Sequence, residues 1–149
     1  MATPAVRGDL AYFGSEAGVF FCVNWKQASV VWRYEPKRGR GVRSSAAASG
    51  EIVVYGNQNR QVRGLDPASG KQLWTFTAKQ RVDSSPVIVG RRAFVGSSDG
   101  RLYGLNLKSG KKEWEYEAGG GFAASPAVAA GKLVIATDDG VVYCFGKQP

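Results

Sequence analysis

The chain repeats itself about every 40 residues, and this period limits the possible fold more than any local feature does. Tryptophan recurs at Trp32, Trp74 and Trp114, with steps of 42 and 40 residues. A Ser-Pro pair recurs with the same spacing at Pro86 and Pro126. A fixed period of this size is typical of solenoids and propellers, in which each repeat is one supersecondary unit. The repeat therefore has to be identified before single strands or helices are assigned.

One repeat contains four short segments of strand length. In the third copy they span residues 85–89, 92–97, 101–105 and 112–117. The last reads KEWEYE, in which aromatic and acidic residues alternate with the period of two expected of a half-buried strand. The same alternation predicts one shared face for the equivalent residues Val30, Trp32, Tyr34, Gln72, Trp74 and Phe76. Four antiparallel strands per repeat make a propeller blade, so we predict an all-β chain of about four blades.

Turn residues recur between these segments. Asp99-Gly100 and Asp139-Gly140 predict two-residue hairpin turns with a positive φ at both positions, and Asn59 stands in for this pair in the second copy. In two copies a later turn combines a capping side chain with a glycine for the left-handed position. The residues expected to have structural roles are Trp32, Trp74, Trp114, Gly70, Gly110, Gly100, Gly140, Asp66 and Asn106.

The first strand of each blade is composed of small residues, such as those at positions 46–48 and 127–129. Small side chains suit the innermost strand, because the sheets of a propeller converge on its axis. The repeated tryptophans are then expected to fill the wedges between sheets. Truncation of a buried one to alanine should cost about 3–5 kcal/mol.

Two segments carry a resemblance to a known family. GLDPASGKQLWTF and GLNLKSGKKEWEY resemble the quinoprotein-type propeller repeat, whose tryptophan-docking motif has the form Ala-x-Asp-x-x-Thr-Gly-Lys-x-x-Trp. The matching residues are Gly64, Asp66, Ser69, Gly70, Lys71, Trp74, Gly104, Asn106, Ser109, Gly110, Lys111 and Trp114. The first copy departs from the motif, because its segment 24–29 contains no glycine.

The resemblance implies a part of a larger ring, since propellers of this family usually have eight blades. The chain divides into approximate blades at residues 2–43, 44–83, 84–123 and 124–149, and the last of these lacks its outer strand. We therefore expect that the chain belongs to a longer propeller or that two copies close an eight-bladed ring. A closed ring of four blades is a less favoured alternative. Without its outer strand, the fourth blade is expected to expose an apolar edge at residues 141–145.

The family comprises quinone-dependent dehydrogenases, which hold pyrroloquinoline quinone and calcium, and non-catalytic propellers similar to the outer-membrane assembly lipoprotein BamB. The sequence has no histidine, which excludes Ser-His-Asp and Cys-His catalysis, and it lacks the adjacent cysteine pair expected of the dehydrogenases. Its one acidic doublet, Asp138-Asp139, falls in a predicted turn. We therefore expect a structural or protein-binding scaffold with no catalytic, cofactor or metal site. A dehydrogenase fragment and an extracytoplasmic sensor domain remain the alternatives.

Basic residues outnumber acidic ones by 20 to 12 and give a net charge of +8. Lys37, Arg38, Arg40 and Arg43 cluster in the loop that joins the first two blades, and they are the candidate residues for binding a protein partner. Because other basic residues are predicted on the opposite face, nucleic acid is disfavoured as a ligand. No signal peptide or membrane span is recognisable, and only the resemblance suggests a periplasmic or extracytoplasmic parent.

The two cysteines occupy one position of the repeat. Cys22 and Cys144 align with Gly64 and Gly104, which predicts a small residue packed against the neighbouring sheet. Since they lie three blades apart, we expect no disulfide between them within one chain.

Overall fold

The computed structural model describes residues 2–146, which form fifteen β-strands and no helix. Every pairing between these strands is antiparallel. The first two sheets contain β1 Ala5–Arg7, β2 Leu10–Gly14, β3 Phe20–Asn24, β4 Ser29–Tyr34, β5 Ala47–Ala48, β6 Val53–Gly56, β7 Gln61–Leu65 and β8 Gln72–Thr77. The other two contain β9 Val87–Val89, β10 Arg92–Gly96, β11 Arg101–Asn106, β12 Lys112–Glu117, β13 Ala127–Ala129, β14 Lys132–Ala136 and β15 Val142–Gly146.

The four sheets are propeller blades, which we number 1 to 4 in chain order. Within each sheet the strands pair in sequence order; blades 1 to 3 have four strands, and blade 4 has three within the described residues. The first strands β1, β5, β9 and β13 lie beside one another from blade to blade. The predicted fold class is thus confirmed, with the short first strand of each blade innermost. That strand consists of small residues in β5 and β13, as predicted, but β9 reads Val-Ile-Val and β1 ends in Arg7, so the prediction of small residues was wrong for these two blades. The four blades form an open row rather than a closed ring.

A separate apolar core fills each of the three junctions between blades. Between blades 1 and 2 the Phe20 and Tyr55 rings stack with centroids 4.2 Å apart. Between blades 2 and 3, Val54 and Val62 meet Val95 and Leu105, and all four side chains are fully buried. Because each core draws side chains from two sheets, no blade completes its core without a neighbour.

A tryptophan of one blade docks on the turn between the third and fourth strands of the next. Trp32 Nε1 donates a hydrogen bond to the carbonyl oxygen of Pro67 at 2.9 Å, and Trp74 Nε1 donates to that of Leu107 at 2.8 Å. The indole rings lie against Gly70 and Gly110, where an added Cβ would come within 2.5 Å of ring atoms. Both glycines also have positive φ, +71° and +70°. Close approach and backbone conformation together therefore require glycine at these positions.

An aspartate or asparagine shapes each docking turn. Asp66 Oδ1 accepts backbone hydrogen bonds from Ala68 and Ser69, and Asn106 Oδ1 accepts the equivalent bonds from residues 108 and 109. These bonds hold the carbonyl of the intervening residue toward the arriving indole. The side chain thus acts on the tryptophan indirectly, through the shape of the turn.

The hairpin turns between the second and third strands differ from the prediction. In blade 3 the loop has three residues, 98–100, between Ser97 and Arg101, which are joined by a backbone hydrogen bond. The φ angle is positive at Gly100 but not at Asp99. Asp99 instead accepts a hydrogen bond from the Arg101 amide through Oδ1 at 2.9 Å. The prediction of a two-residue turn with two positive φ angles was therefore wrong for this pair, and blade 4 likewise has a positive φ at Gly140 alone.

In blade 2 the left-handed position falls on Arg60, with φ of 65°, rather than on Asn59. The prediction that Asn59 takes the place of the Asp-Gly pair in this turn was thus wrong by one residue. The reason is the loop length, since a three-residue loop places its left-handed residue last. Asn59 instead contacts the link between blades 1 and 2 through a hydrogen bond to the carbonyl of Arg38.

A β-bulge also changes the predicted faces of the outermost strands. In blade 2 the register shifts between Gly64 and Leu65, so that Leu65 pairs with Gln72. Gln72 therefore points toward blade 1, where its Oε1 accepts a hydrogen bond from Tyr34 at 2.6 Å, while Trp74 points toward blade 3. The prediction of a shared face for Gln72 and Trp74 was wrong because the extra residue reverses the alternation. The same shift in blade 1 separates Val30 from Trp32.

Substitution of a docking glycine tests whether the indole contact stabilises the row. We expect Gly110→Ala to lower the free energy of unfolding by about 1–2 kcal/mol for the left-handed backbone and by a further 1–3 kcal/mol or so for the clash with Trp74. Gly90→Ala is the matched control, because Gly90 also has a positive φ and an added Cβ there meets no atom within 4 Å. Urea unfolding measures both; equal losses would show that the ring contact contributes nothing.

Candidate functional site

The outward face of blade 1 is apolar and uncovered within the described residues. In β2 and β3, Tyr12, Phe20 and Cys22 pack toward blade 2, so the residues that alternate with them point away from it. We call this surface the blade-1 end face; its apolar members are Val6, Phe13, Phe21, Val23 and Val30, and Arg33, which pairs with Phe21, lies on the same face. The Phe13 and Phe21 rings stack with centroids 5.6 Å apart, and Val30 is 61% exposed.

The outward face of blade 4 is also apolar but consists of smaller side chains. Leu133, Ile135, Tyr143 and Phe145 pack toward blade 3, so Val134, Val142 and Cys144 point away and form the blade-4 end face. Val142 is 66% exposed. These three residues hold the repeat positions of Tyr12, Phe20 and Cys22, which are buried against blade 2. By analogy with blade 1, the blade-4 end face is the surface on which a further blade would pack.

Strand β15 is the outer edge of blade 4 in the described part of the chain, since it pairs with β14 alone. Its backbone groups on the far side have no strand partner among residues 2–146. An edge strand of this kind is a template for pairing with another chain.

The third repeated tryptophan is less buried than the other two. Trp32 and Trp74 are only 9% and 7% exposed, whereas Trp114 is partly open to a cleft of 430 Å³ between blades 3 and 4. Trp114 makes edge-on contacts with Phe94 and Phe145, whose ring centroids lie 5.9 and 5.4 Å away. By the repeat, its docking turn falls at residue 147 and beyond, which lies outside the described residues.

Blade 1 lacks the glycine on which a tryptophan docks elsewhere. Ala28 holds the repeat position of Gly70 and has a left-handed φ of 49°. Trp25, in the same turn, is 53% exposed and donates a hydrogen bond from Nε1 to the Gly8 carbonyl at 3.0 Å. Because Ala28 carries a Cβ where the inner junctions place an indole ring, a blade seated on this end cannot repeat the close contact that Trp32 makes with Gly70.

The structure divides the four candidate basic residues into two groups. Lys37 and Arg38 line a cleft at the junction of blades 1 and 2. Arg43 instead pairs with Glu16 of blade 1 at 3.4 Å, and the Arg40 backbone lies close to Gly18. The cluster in the sequence is therefore not one binding surface in space.

Two arginines in that cleft were not singled out by the sequence, Arg60 and Arg63. A comparison of the repeat copies would have shown that Arg63 is exceptional, because its position is aromatic in the other three blades. The equivalent residues are Phe21, Tyr103 and Tyr143.

Both cysteines are free. Cys22 is buried against blade 2, and burial raises the pKa of its thiol. Cys144 is exposed on the blade-4 end face. A second copy that approaches the blade-4 end face would therefore meet Cys144, whereas Cys22 faces blade 2 and lies on neither end face.

Residues 2–146 contain no group of three or more acidic, histidine or cysteine side chains arranged to hold a metal ion. Asp138 lies in the predicted turn, and its amide donates a hydrogen bond to the Gly121 carbonyl at 2.9 Å. In the same part of the chain, no helix is long and apolar enough to cross a membrane.

Comparison with protein families gives one match. Residues 58–148, which make up more than half of the chain, match the family model described as outer membrane protein assembly factor BamB. A search of curated protein sequences found no match.

Several solved structures have a similar fold. BamB from Moraxella catarrhalis superposes with a TM-score of 0.83 at 22% identity, over 93% of this chain and 46% of that one. The computationally designed Ika4 protein gives 0.85 at 14% identity, over 96% and 88% of the two chains. The quinohemoprotein alcohol dehydrogenase from Comamonas testosteroni gives 0.80 at 15% identity, over 91% and 28%. At these identities the likeness concerns the fold alone, and the chain spans less than half the length of the BamB structure.

Truncation of two tryptophans compares a docked indole with one that borders the cleft. Trp74→Ala should lower the free energy of unfolding by about 3–5 kcal/mol, because it removes a buried ring and its hydrogen bond to Leu107. Trp114→Ala should cost clearly less, since part of its ring is already open to the cleft. Urea unfolding at low protein concentration measures both; an equal loss for Trp114 would mean that its ring is fully covered in solution.

Proposed function

The chain belongs to the family of the outer membrane protein assembly factor BamB, and from this we propose that it is a non-catalytic propeller scaffold that binds protein partners. Fold alone does not give function, so the proposal also needs a feature of this molecule. That feature is the pair of uncovered apolar end faces on blades 1 and 4. Surfaces of this kind mark sites of protein association, because their contact with water is unfavourable.

We assign the first partner to a second copy of the chain. The two end faces differ in size, with Phe13 and Phe21 on blade 1 and the smaller Val134, Val142 and Cys144 on blade 4. A two-fold axis would place the blade-4 end face of each copy against the blade-1 end face of the other and so close a ring of eight blades. The superposition with less than half of the BamB chain supports a ring of about twice this length. The alternative source of the missing blades is the remainder of a longer chain.

Other protein partners would bind to the completed ring at the loops between blades. The first residues to test are Lys37, Arg38, Arg40 and Arg43. Since Arg43 is already paired with Glu16, charge reversal should affect a partner more strongly at Lys37 and Arg38 than at Arg43.

The mass in solution tests ring closure. We expect twice the chain mass of 15.9 kDa by light scattering. Val142→Lys should shift the protein to a monomer, because a lysine ammonium would be buried without a partner in the interface. Leu73→Lys is the control, since Leu73 is 49% exposed in blade 2 and belongs to neither end face. A monomer at every concentration would rule out the second copy and leave a longer chain as the source of the remaining blades.

Cofactor addition tests the non-catalytic part of the proposal. Addition of pyrroloquinoline quinone and calcium should change neither the quinone absorption spectrum nor the melting temperature. A saturable change in both would favour a dehydrogenase fragment instead. The test is to be made on the species found by light scattering, because a quinone site in a complete ring would need residues from both halves.

A further inference from the structure

Arg63 occupies a position that the other blades fill with an aromatic ring. At the junction of blades 2 and 3, Tyr103 packs against Phe76 with centroids 5.0 Å apart, and between blades 3 and 4 Tyr143 packs against Tyr116 at 5.4 Å. Between blades 1 and 2 the corresponding pair is Arg63 and Tyr34, with the guanidinium carbon 5.3 Å from the ring centroid. At the other two junctions a pair of aromatic side chains fills the equivalent space, so packing of the blades does not require a charged residue at position 63.

The Arg63 guanidinium is buried among neutral groups. The residue is only 7% exposed, and burial of a charge is costly unless an opposite charge accompanies it. Its Nη1 donates to Tyr34 Oη and, at 3.3 Å, to Gln72 Oε1, while Nη2 donates to Gln61 Oε1 at 2.6 Å. All three acceptors are uncharged. These contacts use three of the five N–H donors, and Nε has no acceptor among residues 2–146.

The nearby phenol of Tyr55 does not supply the missing negative charge. Its oxygen is buried and has no hydrogen-bond partner in the described part of the chain. Burial raises the pKa of Tyr55 well above its usual value, although the Arg63 charge acts in the opposite direction. The phenol is therefore protonated at neutral pH, and the guanidinium stays uncompensated.

Three further cations surround the mouth of the cleft that Arg63 lines. The cleft has a volume of 650 Å³ and is bordered by Lys37, Arg38 and Arg60 in addition to Arg63. None of the residues that line it is acidic. Four like charges around one cavity repel one another, and an anion between them would relieve that repulsion.

We propose that this cleft, formed by the link after β4 and by β7 and β8, is a binding site for a small multiply charged oxyanion. A phosphate group or a cluster of carboxylates has the oxygen acceptors and the charge that the site lacks. Arg63 would anchor the oxyanion through its charge and through the second N–H of Nη2, since Nε is fully buried and both N–H groups of Nη1 are already used. Lys37, Arg38 and Arg60 would hold it at the rim. The site does not depend on closure of the ring, because it lies at an inner junction.

The repeat itself provides the substitution that tests the site. Arg63→Tyr introduces the residue that blades 3 and 4 carry at this position, so the junction should remain packed. Lys37→Ala and Arg38→Ala remove exposed charges from the rim without touching the core. Arg91→Ala, which removes an arginine far along the chain that does not border this cleft, is the control for net charge.

Isothermal titration with inorganic pyrophosphate and with citrate, at constant ionic strength, measures binding and separates a phosphate ligand from a polycarboxylate. We expect the wild type and Arg91→Ala to bind at least one of them equally well. Arg63→Tyr should bind that anion at least about tenfold more weakly, in line with the loss of charge-assisted hydrogen bonds. The rim variants should show smaller losses. Unchanged affinity in a folded Arg63→Tyr variant, or no binding of either anion to the wild type, would overturn the proposal.

Discussion

The contact on which the architecture depends is the seat of a tryptophan indole on the turn of the following blade. A hydrogen bond from the ring nitrogen to a turn carbonyl fixes the angle, and a left-handed glycine lets the ring approach the backbone closely. The indole comes from one sheet and its seat from the next, so each contact also sets the rotation between two blades. Since apolar burial alone is non-directional, this polar contact accounts for the regular spacing of the wedges.

This contact is described at two of the three inner junctions, those of blades 1 and 2 and of blades 2 and 3. The junctions also differ in the side chains that complete their outer part, and this difference locates the candidate binding site. Two junctions complete their outer part with a pair of aromatic rings. The junction of blades 1 and 2 uses Tyr34 and the buried Arg63 instead, and the link that follows β4 brings Lys37 and Arg38 to the same place. A repeated scaffold thus carries four basic residues and no acidic one around the cleft at this junction. The end faces, in contrast, are apolar and suited to association.

Much of the fold follows from the sequence because the repeat displays it several times. The spacing of the tryptophans gives the blade, and the Asp66–Gly70 and Asn106–Gly110 turns give the docking seat. What could not be predicted depends on hydrogen-bond register. A single bulge turns Gln72 toward blade 1, and one extra loop residue moves the left-handed position to Arg60. The cluster of charges at residues 37–43 was visible in the sequence, but its division in space was not. Arg63 was not predicted as a site residue, because an isolated arginine in a strand is usually solvated. Alignment of the four copies shows that the equivalent residues of the other blades are aromatic.

Ala28 makes the blade-1 end of the row mechanically weaker than the junctions inside it. The junctions of blades 1 and 2 and of blades 2 and 3 are latched by an indole seated on a glycine turn, whereas the turn of blade 1 carries a methyl group where such a latch would fit. A ring completed through the end faces would have unlatched seams there, held by apolar packing and by whatever pairs with β15. Under strain or dilution it would part at these seams and release intact four-blade arcs, rather than lose its blades one at a time.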